Sequence, residues 1–208
     1  YGRNSDVFRV RVLGEFPQAA FNQLISGDLI DAAQERHLRI DQYNFAPVIL
    51  GVDVAPYGGD RSAVFLRQGN MSKLLWQGVG VDDMTLGGIV AAFYDEYRAD
   101  MIFVDQGAGS GVHSYLKRLG YMVMAIPVGS SSSKPKYFNK RAEMWGELKE
   151  WLKEGGAIPP GEELKSDLVG PQYYYAPSGK LQLERKEDMK KRGLASPDLA
   201  DALALTFA

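Results

Sequence analysis

Asp53, Asp105 and Asp201 are the residues whose type and setting best suit chemistry. Asp53 closes the apolar run Pro47-Val48-Ile49-Leu50-Gly51-Val52, and Asp105 closes Met101-Ile102-Phe103-Val104. Asp201 lies within Leu199–Phe207, which is otherwise almost wholly apolar. An unpaired buried carboxylate is costly, or its pKa shifts until it is neutral. Three such acids at the ends of core elements point to a shared divalent cation. With two cations about 4 Å apart, a site of this kind can activate a water and stabilise the leaving oxygen of a phosphodiester. Taken singly, each aspartate is equally explained as a helix cap or a turn former.

Two further acids stand close by. Asp198 shares a helix face with Asp201 at i,i+3 spacing, and it also suits the first turn of a helix. Asp60 lies in Gly58-Gly59-Asp60-Arg61-Ser62. A turn explains it, yet a hairpin returning from the first core strand could swing it toward the metals. The chain has no cysteine and only two histidines, His37 and His113, far apart. Any metal is therefore mainly oxygen-ligated, which favours magnesium or manganese over zinc.

The formal net charge of −2 argues against a strongly basic nucleic-acid binder. Charge is nevertheless local. Lys134, Lys136, Lys140 and Arg141 adjoin the serine run at 130–133, and they suit either a mobile phosphate-contacting flap or a solvated face. Lys186, Lys190, Lys191 and Arg192 directly precede the Asp198–Asp201 segment, and they suit DNA contact near the metal edge slightly better than a solvated face. No stretch approaches the roughly 18 apolar residues that cross a membrane.

These acids need elements to position them. Residues 48–53, 62–67 and 73–79 read as a β-meander. Residues 84–98 have helical spacing, 101–105 form a short buried strand, the glycine-rich loop 107–111 opens another helix, and 122–128 form a further strand. Asn139 suits the cap of a helix over 140–154. Residues 162–169 read as a short helix, and Pro177-Ser178-Gly179 turns a hairpin. Ser196 is expected to cap the last helix, with Pro197 in its first turn. The pattern predicts an α/β architecture, with an antiparallel meander continued by parallel strands and helices packed on the sheet. Ligand sites in such sheets lie beyond the carboxyl ends of parallel strands. Residues 1–46 read differently, as a lead-in with a strand over 7–13 and a helix within 21–38, ahead of a domain over 47–208.

The ordered set Gly51-Val52-Asp53-Val54-Ala55, Gly59-Asp60-Arg61-Ser62, Val104-Asp105-Gln106-Gly107-Ala108-Gly109, Asn139-Lys140-Arg141-Ala142-Glu143-Met144-Trp145 and Ser196-Pro197-Asp198-Leu199-Ala200-Asp201 resembles the C-terminal nuclease domain of the large terminase subunit of tailed bacteriophages. The resemblance implies an RNase H-like fold related to RuvC resolvases, with helices on both faces of the sheet. It implies metal-dependent endonuclease cutting of concatemeric double-stranded viral DNA in the host cytoplasm, with two magnesium or manganese ions. Asp53, Asp105 and Asp201 match the family's acidic triad, Asp198 an accessory position, and Asp60 lies near a further acidic position of some relatives. The family's motor also has an ATPase domain, a small subunit and a portal protein. No GxxxxGK[ST] loop occurs here, so the chain is expected to be the nuclease part alone, binding DNA weakly, with 1–46 leading in from the ATPase. Two other functions compete: an actin-like or sugar-kinase-type phosphotransferase, and a non-catalytic module that docks on the portal or small subunit.

Overall fold

A computed structural model describes residues 22–55 and 60–208. The strand expected over 7–13, and residues 56–59 of the turn after the first core strand, lie outside the described residues. Seven strands are described: β1 (Val48–Asp53), β2 (Arg61–Gln68), β3 (Met71–Val79), β4 (Met101–Asp105), β5 (Val123–Ile126), β6 (Tyr173–Tyr175) and β7 (Leu181–Leu183). The α-helices are α1 (Gly27–Gln34), α2 (Asp83–Tyr97), α3 (Ser110–Arg118), α4 (Lys140–Lys153), α5 (Glu162–Val169), α6 (Lys186–Lys191) and α7 (Asp198–Leu205).

The first five strands form one sheet in the order β3-β2-β1-β4-β5, and β6-β7 form a separate hairpin. The β1, β2 and β3 strands are antiparallel, whereas β4 runs parallel to β1 and β5 parallel to β4. This is the expected mixed sheet of meander and parallel strands.

Alternation along the strands gives the sheet two different faces. Leu50, Val52, Val64, Leu66, Ile102 and Val104 are buried on one face with Leu86 and Val90 of α2 and Val112 and Leu116 of α3. Ala63, Phe65 and Ile126 point to the other face, where they meet Trp145 and Leu148 of α4, Leu164 and Leu168 of α5, and Leu199 and Leu203 of α7. Helices therefore cover both faces. Asp53 and Asp105 share the parity of Gly51 and Phe103, so they belong to the face that α7 covers.

Glycine at 51 sets how closely that helix approaches. A Cβ there would stand 2.1 Å from the Ala202 carbonyl oxygen and 2.9 Å from Thr206 Cγ2. Only a residue without a side chain lets α7 lie directly on β1.

The expected helix within 21–38 is shorter, spanning Gly27–Gln34. Its flanks are held elsewhere. Leu24 N donates to Pro171 O, and Arg36 Nη1 donates to the carbonyls of Leu152 and Gly156 beyond the helix end. Leu24, Ile25, Ile30 and Ala33 are buried in the same core as α4, α5 and α7. Helix α6, over Lys186–Lys191, has no counterpart in the sequence reading, and the remaining helices form where their spacing predicts. Asp82 accepts from Met84 N and Thr85 N to cap α2, and Asn139 accepts from Ala142 N to cap α4.

Candidate functional site

Parallel register brings the first two acids together. Val52 pairs with Val104 across β1 and β4, so Asp53 and Asp105 are the next residues on neighbouring strands at the carboxyl ends. Asp53 is buried, while Asp105 is half-buried and accepts a long bond from Gly107 N at 3.3 Å. Helix α7 adds Asp198 and Asp201, both buried. Asp53, Asp105 and Asp201 all line one cavity of about 520 Å³, together with Lys186 and Arg141. Asp198 and Asp60 line a smaller recess beside it, which Asp53 and Lys186 also border.

The α7 terminus is built differently from the expectation. Pro197, not Ser196, is the N-cap residue and offers no capping side chain. Asp167 of α5 serves instead, its Oδ2 accepting from Leu199 N at 2.9 Å. Proline lacks a side-chain acceptor, so the orphan amides of the first turn take their partner from a neighbouring helix. Burial pushes Asp167 up to about 7, against the hydrogen bond from Leu199 and with the nearby Asp198 adding to the rise.

Lys186 stands among the acids. Its Nζ lies 2.9 Å from Asp201 Oδ2, 3.7 Å from Asp53 Oδ2 and 3.9 Å from Asp198 Oδ1. Burial works to lower its pKa, but the carboxylates of Asp201 and Asp53 outweigh that and raise it. Asp53 is pushed up to about 8 by burial, with Lys186 opposing and Asp201, Asp198 and Asp105 adding to the rise. For Asp201 burial also acts upward, yet Arg141, Lys186 and a bond from Trp145 hold it below the usual carboxylate range.

Asp201 is thus the best-supported acid. Trp145 Nε1 donates to its Oδ1 at 2.8 Å, and Arg141 Nη2 reaches the same atom at 3.3 Å. Its Oδ2 is buried and faces the Lys186 ammonium at 2.9 Å, with no other partner. Sequence reasoning placed Trp145 in the Asn139–Trp145 string that carries the resemblance but gave it no role in the site. Arg141 and Lys186 were expected as DNA contacts, and the structure places both against the carboxylates. A signal was present for Trp145: it follows Arg141 by four residues, one helical turn on the same face.

The other expected DNA contacts have partners within the chain. Lys134 pairs with Glu147, Lys140 with Glu143, Lys190 with Asp60 and Lys191 with Asp188. Arg192 forms a two-pronged pair with Glu184, at 2.8 and 2.6 Å. Lys136 lies over the Tyr137 ring. The serine loop, expected to be mobile, is tied to buried Glu143. Ser132 Oγ, Ser133 N and Ser133 Oγ donate to that carboxylate at 2.6, 2.7 and 2.8 Å. Burial acts to raise Glu143, but the bonds from Ser132, Ser133 and Lys140 prevail and bring it down to about 2.

Among the described residues, no three histidine, cysteine, aspartate or glutamate side chains close around one point as a finished metal site. The Lys186 ammonium stands in the space between them. The donor set nevertheless fits a hard divalent cation. All its donors are carboxylate oxygens, buried Oδ2 of Asp201 has only the Lys186 ammonium against it, and burial pushes the Asp53 carboxyl toward its neutral form.

No protein-family model and no curated protein sequence matches the chain. Solved structures do match. A mutant of the nuclease domain of the large terminase subunit gp2 of bacterial virus Sf6, with manganese and beta-thujaplicinol, superposes with a TM-score of 0.75 at 21% identity, covering 89% of this chain and 98% of that one. The large terminase nuclease from thermophilic phage G20c, with bound magnesium, gives a TM-score of 0.66 at 21% identity, covering 90% and 97%. The chain has the RNase H-like fold of these domains.

Proposed function

We propose that the chain is a metal-dependent DNA endonuclease, the nuclease domain of a phage packaging terminase. The observation that carries this reading is the convergence of Asp53, Asp105 and Asp201 on one cavity wall, with Asp198 alongside and the Lys186 ammonium among them, where a cation would stand. The fold likeness to terminase nucleases supports it. Asp53, Asp105 and Asp201 would hold magnesium or manganese, with Asp198 as an accessory ligand and Asp60 at the edge of the recess. A pair of such ions supplies an activated water and charge stabilisation for the leaving oxygen.

The protein's own residues do the rest. Sheet register fixes Asp53 beside Asp105, and α7 brings Asp201 across. Lys186 neutralises the cluster until a cation arrives, and its ammonium then becomes free to meet a phosphate. Lys134, Lys136, Lys190 and Lys191 are exposed on the loop and helix that flank the cavity, where a DNA backbone would run. The substrate is concatemeric double-stranded DNA, bound weakly by this domain alone. In the complete motor the ATPase domain, the small subunit and the portal would hold that substrate, in the host cytoplasm.

The position of Lys186 favours a second reading, a domain that is silent by itself. Nicking of supercoiled plasmid in manganese decides. The parent should nick, and Asp53→Asn, Asp105→Asn and Asp201→Asn should each lower the rate by at least about a hundredfold. Equal cutting by all three variants would refute the site. A silent parent that binds manganese would favour the docking role.

A further inference from the structure

We infer that Trp145 and Arg141 are positioning residues that commit Asp201 to binding a cation through Oδ2 alone. The inference rests on the metal-site reading above and adds how one of its ligands is presented. Trp145 and Arg141 are four residues apart on α4, so their side chains leave the same face of the helix. Both are aimed at a single atom. Asp201 Oδ1 accepts from Trp145 Nε1 at 2.8 Å and lies 3.4 and 3.3 Å from Arg141 Nε and Nη2. Oδ2 of the same carboxylate is buried, and only the Lys186 ammonium, at 2.9 Å, stands against it.

The asymmetry follows from how the two donors are held. Trp145 is wholly buried, so its ring cannot turn to follow a moving acceptor. Arg141 is anchored independently, since its Nη1 donates to the Glu184 carbonyl at 2.8 Å. Its guanidinium carbon also lies 5.9 Å from the centre of the Trp145 ring. The two donors therefore fix the torsion of the Asp201 carboxylate. With Oδ1 engaged, only Oδ2 faces Lys186 and the cavity, and a cation entering there meets one oxygen of Asp201 rather than two.

A simpler account would have the indole take the nearest acceptor, because a buried tryptophan N–H needs one. That account predicts a change in stability when the donor is lost, and no change in metal affinity. Hydrogen bonds to metal ligands typically govern affinity by 10- to 100-fold, so the two accounts separate in one measurement.

The test is calorimetric titration of the 208-residue chain with manganese chloride, on the parent and on Trp145→Phe, Asp53→Asn and Asp201→Asn. Phenylalanine keeps the buried ring and removes only the N–H. The expected result is manganese affinity at least about tenfold weaker in Trp145→Phe, and weaker still in both aspartate variants. If the aspartate variants weaken binding and Trp145→Phe binds within about twofold of the parent while melting earlier, the positioning role is overturned and the metal site stands. If neither aspartate variant weakens binding, the metal-site reading falls and takes this inference with it. Should Trp145→Phe not fold, the parent's tryptophan emission carries the test. A saturable change with the calorimetric midpoint, absent from Asp201→Asn, supports the inference. Unchanged emission at saturating manganese overturns it.

Discussion

Lys186 Nζ lies 2.9 Å from Asp201 Oδ2, inside the space that the acids enclose. An ammonium and a divalent cation compete for that space. Lys186→Ala should therefore raise manganese affinity while lowering stability in EDTA. The stability loss is about 1–2 kcal/mol, less than a fully buried pair would cost because the lysine side chain is 36% exposed. Thermal melting with and without manganese checks both, and the metal-induced rise in melting temperature should exceed that of the parent.

Stability without metal should fall as pH rises from about 5 to 8.5. Asp53 and Asp167 have folded-state pKa values raised to about 8 and about 7. A raised carboxylate contributes its stability fully below its unfolded pKa and loses it as pH climbs through the folded value. Glu143 and Asp201 are shifted downward and Lys186 upward, so none of the three titrates in this window. Melting in EDTA across that range checks the slope, and Asp53→Asn should flatten it. Manganese binding should strengthen over the same range as Asp53 gives up its proton.

Gly51→Ala should be among the most damaging single changes in the sheet. The added methyl meets backbone, the Ala202 carbonyl, at 2.1 Å, so no side chain can rotate away. Overpacking of this kind costs about 1–3 kcal/mol. Because α7 must move to relieve it, nicking should fall by about a hundredfold even where the variant folds. A variant that melts early yet cuts at the parental rate would show that the position of α7 on β1 does not govern the site.

Glu143→Ala should release the serine loop. It removes the acceptor for Ser132, Ser133 and Lys140 at once, at a cost of about 1–3 kcal/mol in unsatisfied groups. Limited proteolysis should show faster cleavage within 129–139 than in the parent. Acid should mimic the change. A depressed carboxylate contributes its stability above its unfolded pKa and loses it as pH falls toward about 2.

The sheet and the strand-end placing of Asp53 and Asp105 were legible because both rest on local signals. Apolar runs of strand length ending in aspartate fix where β1 and β4 stop, and parallel register does the rest. What stayed hidden depends on contacts far apart in sequence. Asp167 caps a helix more than thirty positions away. Lys186 reads as one more basic residue before a helix, and only packing turns its ammonium inward. The serine run reads as flexible because its anchor, Glu143, lies on the next helix. Gly51 reads as an ordinary strand glycine until α7 is laid across it.

The burial of Leu24, Ile25, Ile30 and Ala33 beneath α4, α5 and α7 has a practical consequence for fragment design. The change in sequence pattern near residue 47 is an inviting place to start a shorter gene. A chain begun there would bare apolar surface of α4 and α5, the helices on which α1 packs. Each large aliphatic among them contributes about 1.5–3 kcal/mol of burial, against a typical domain stability of about 5–15 kcal/mol. A fragment that keeps every acid and loses this strip would carry the full chemistry and still aggregate.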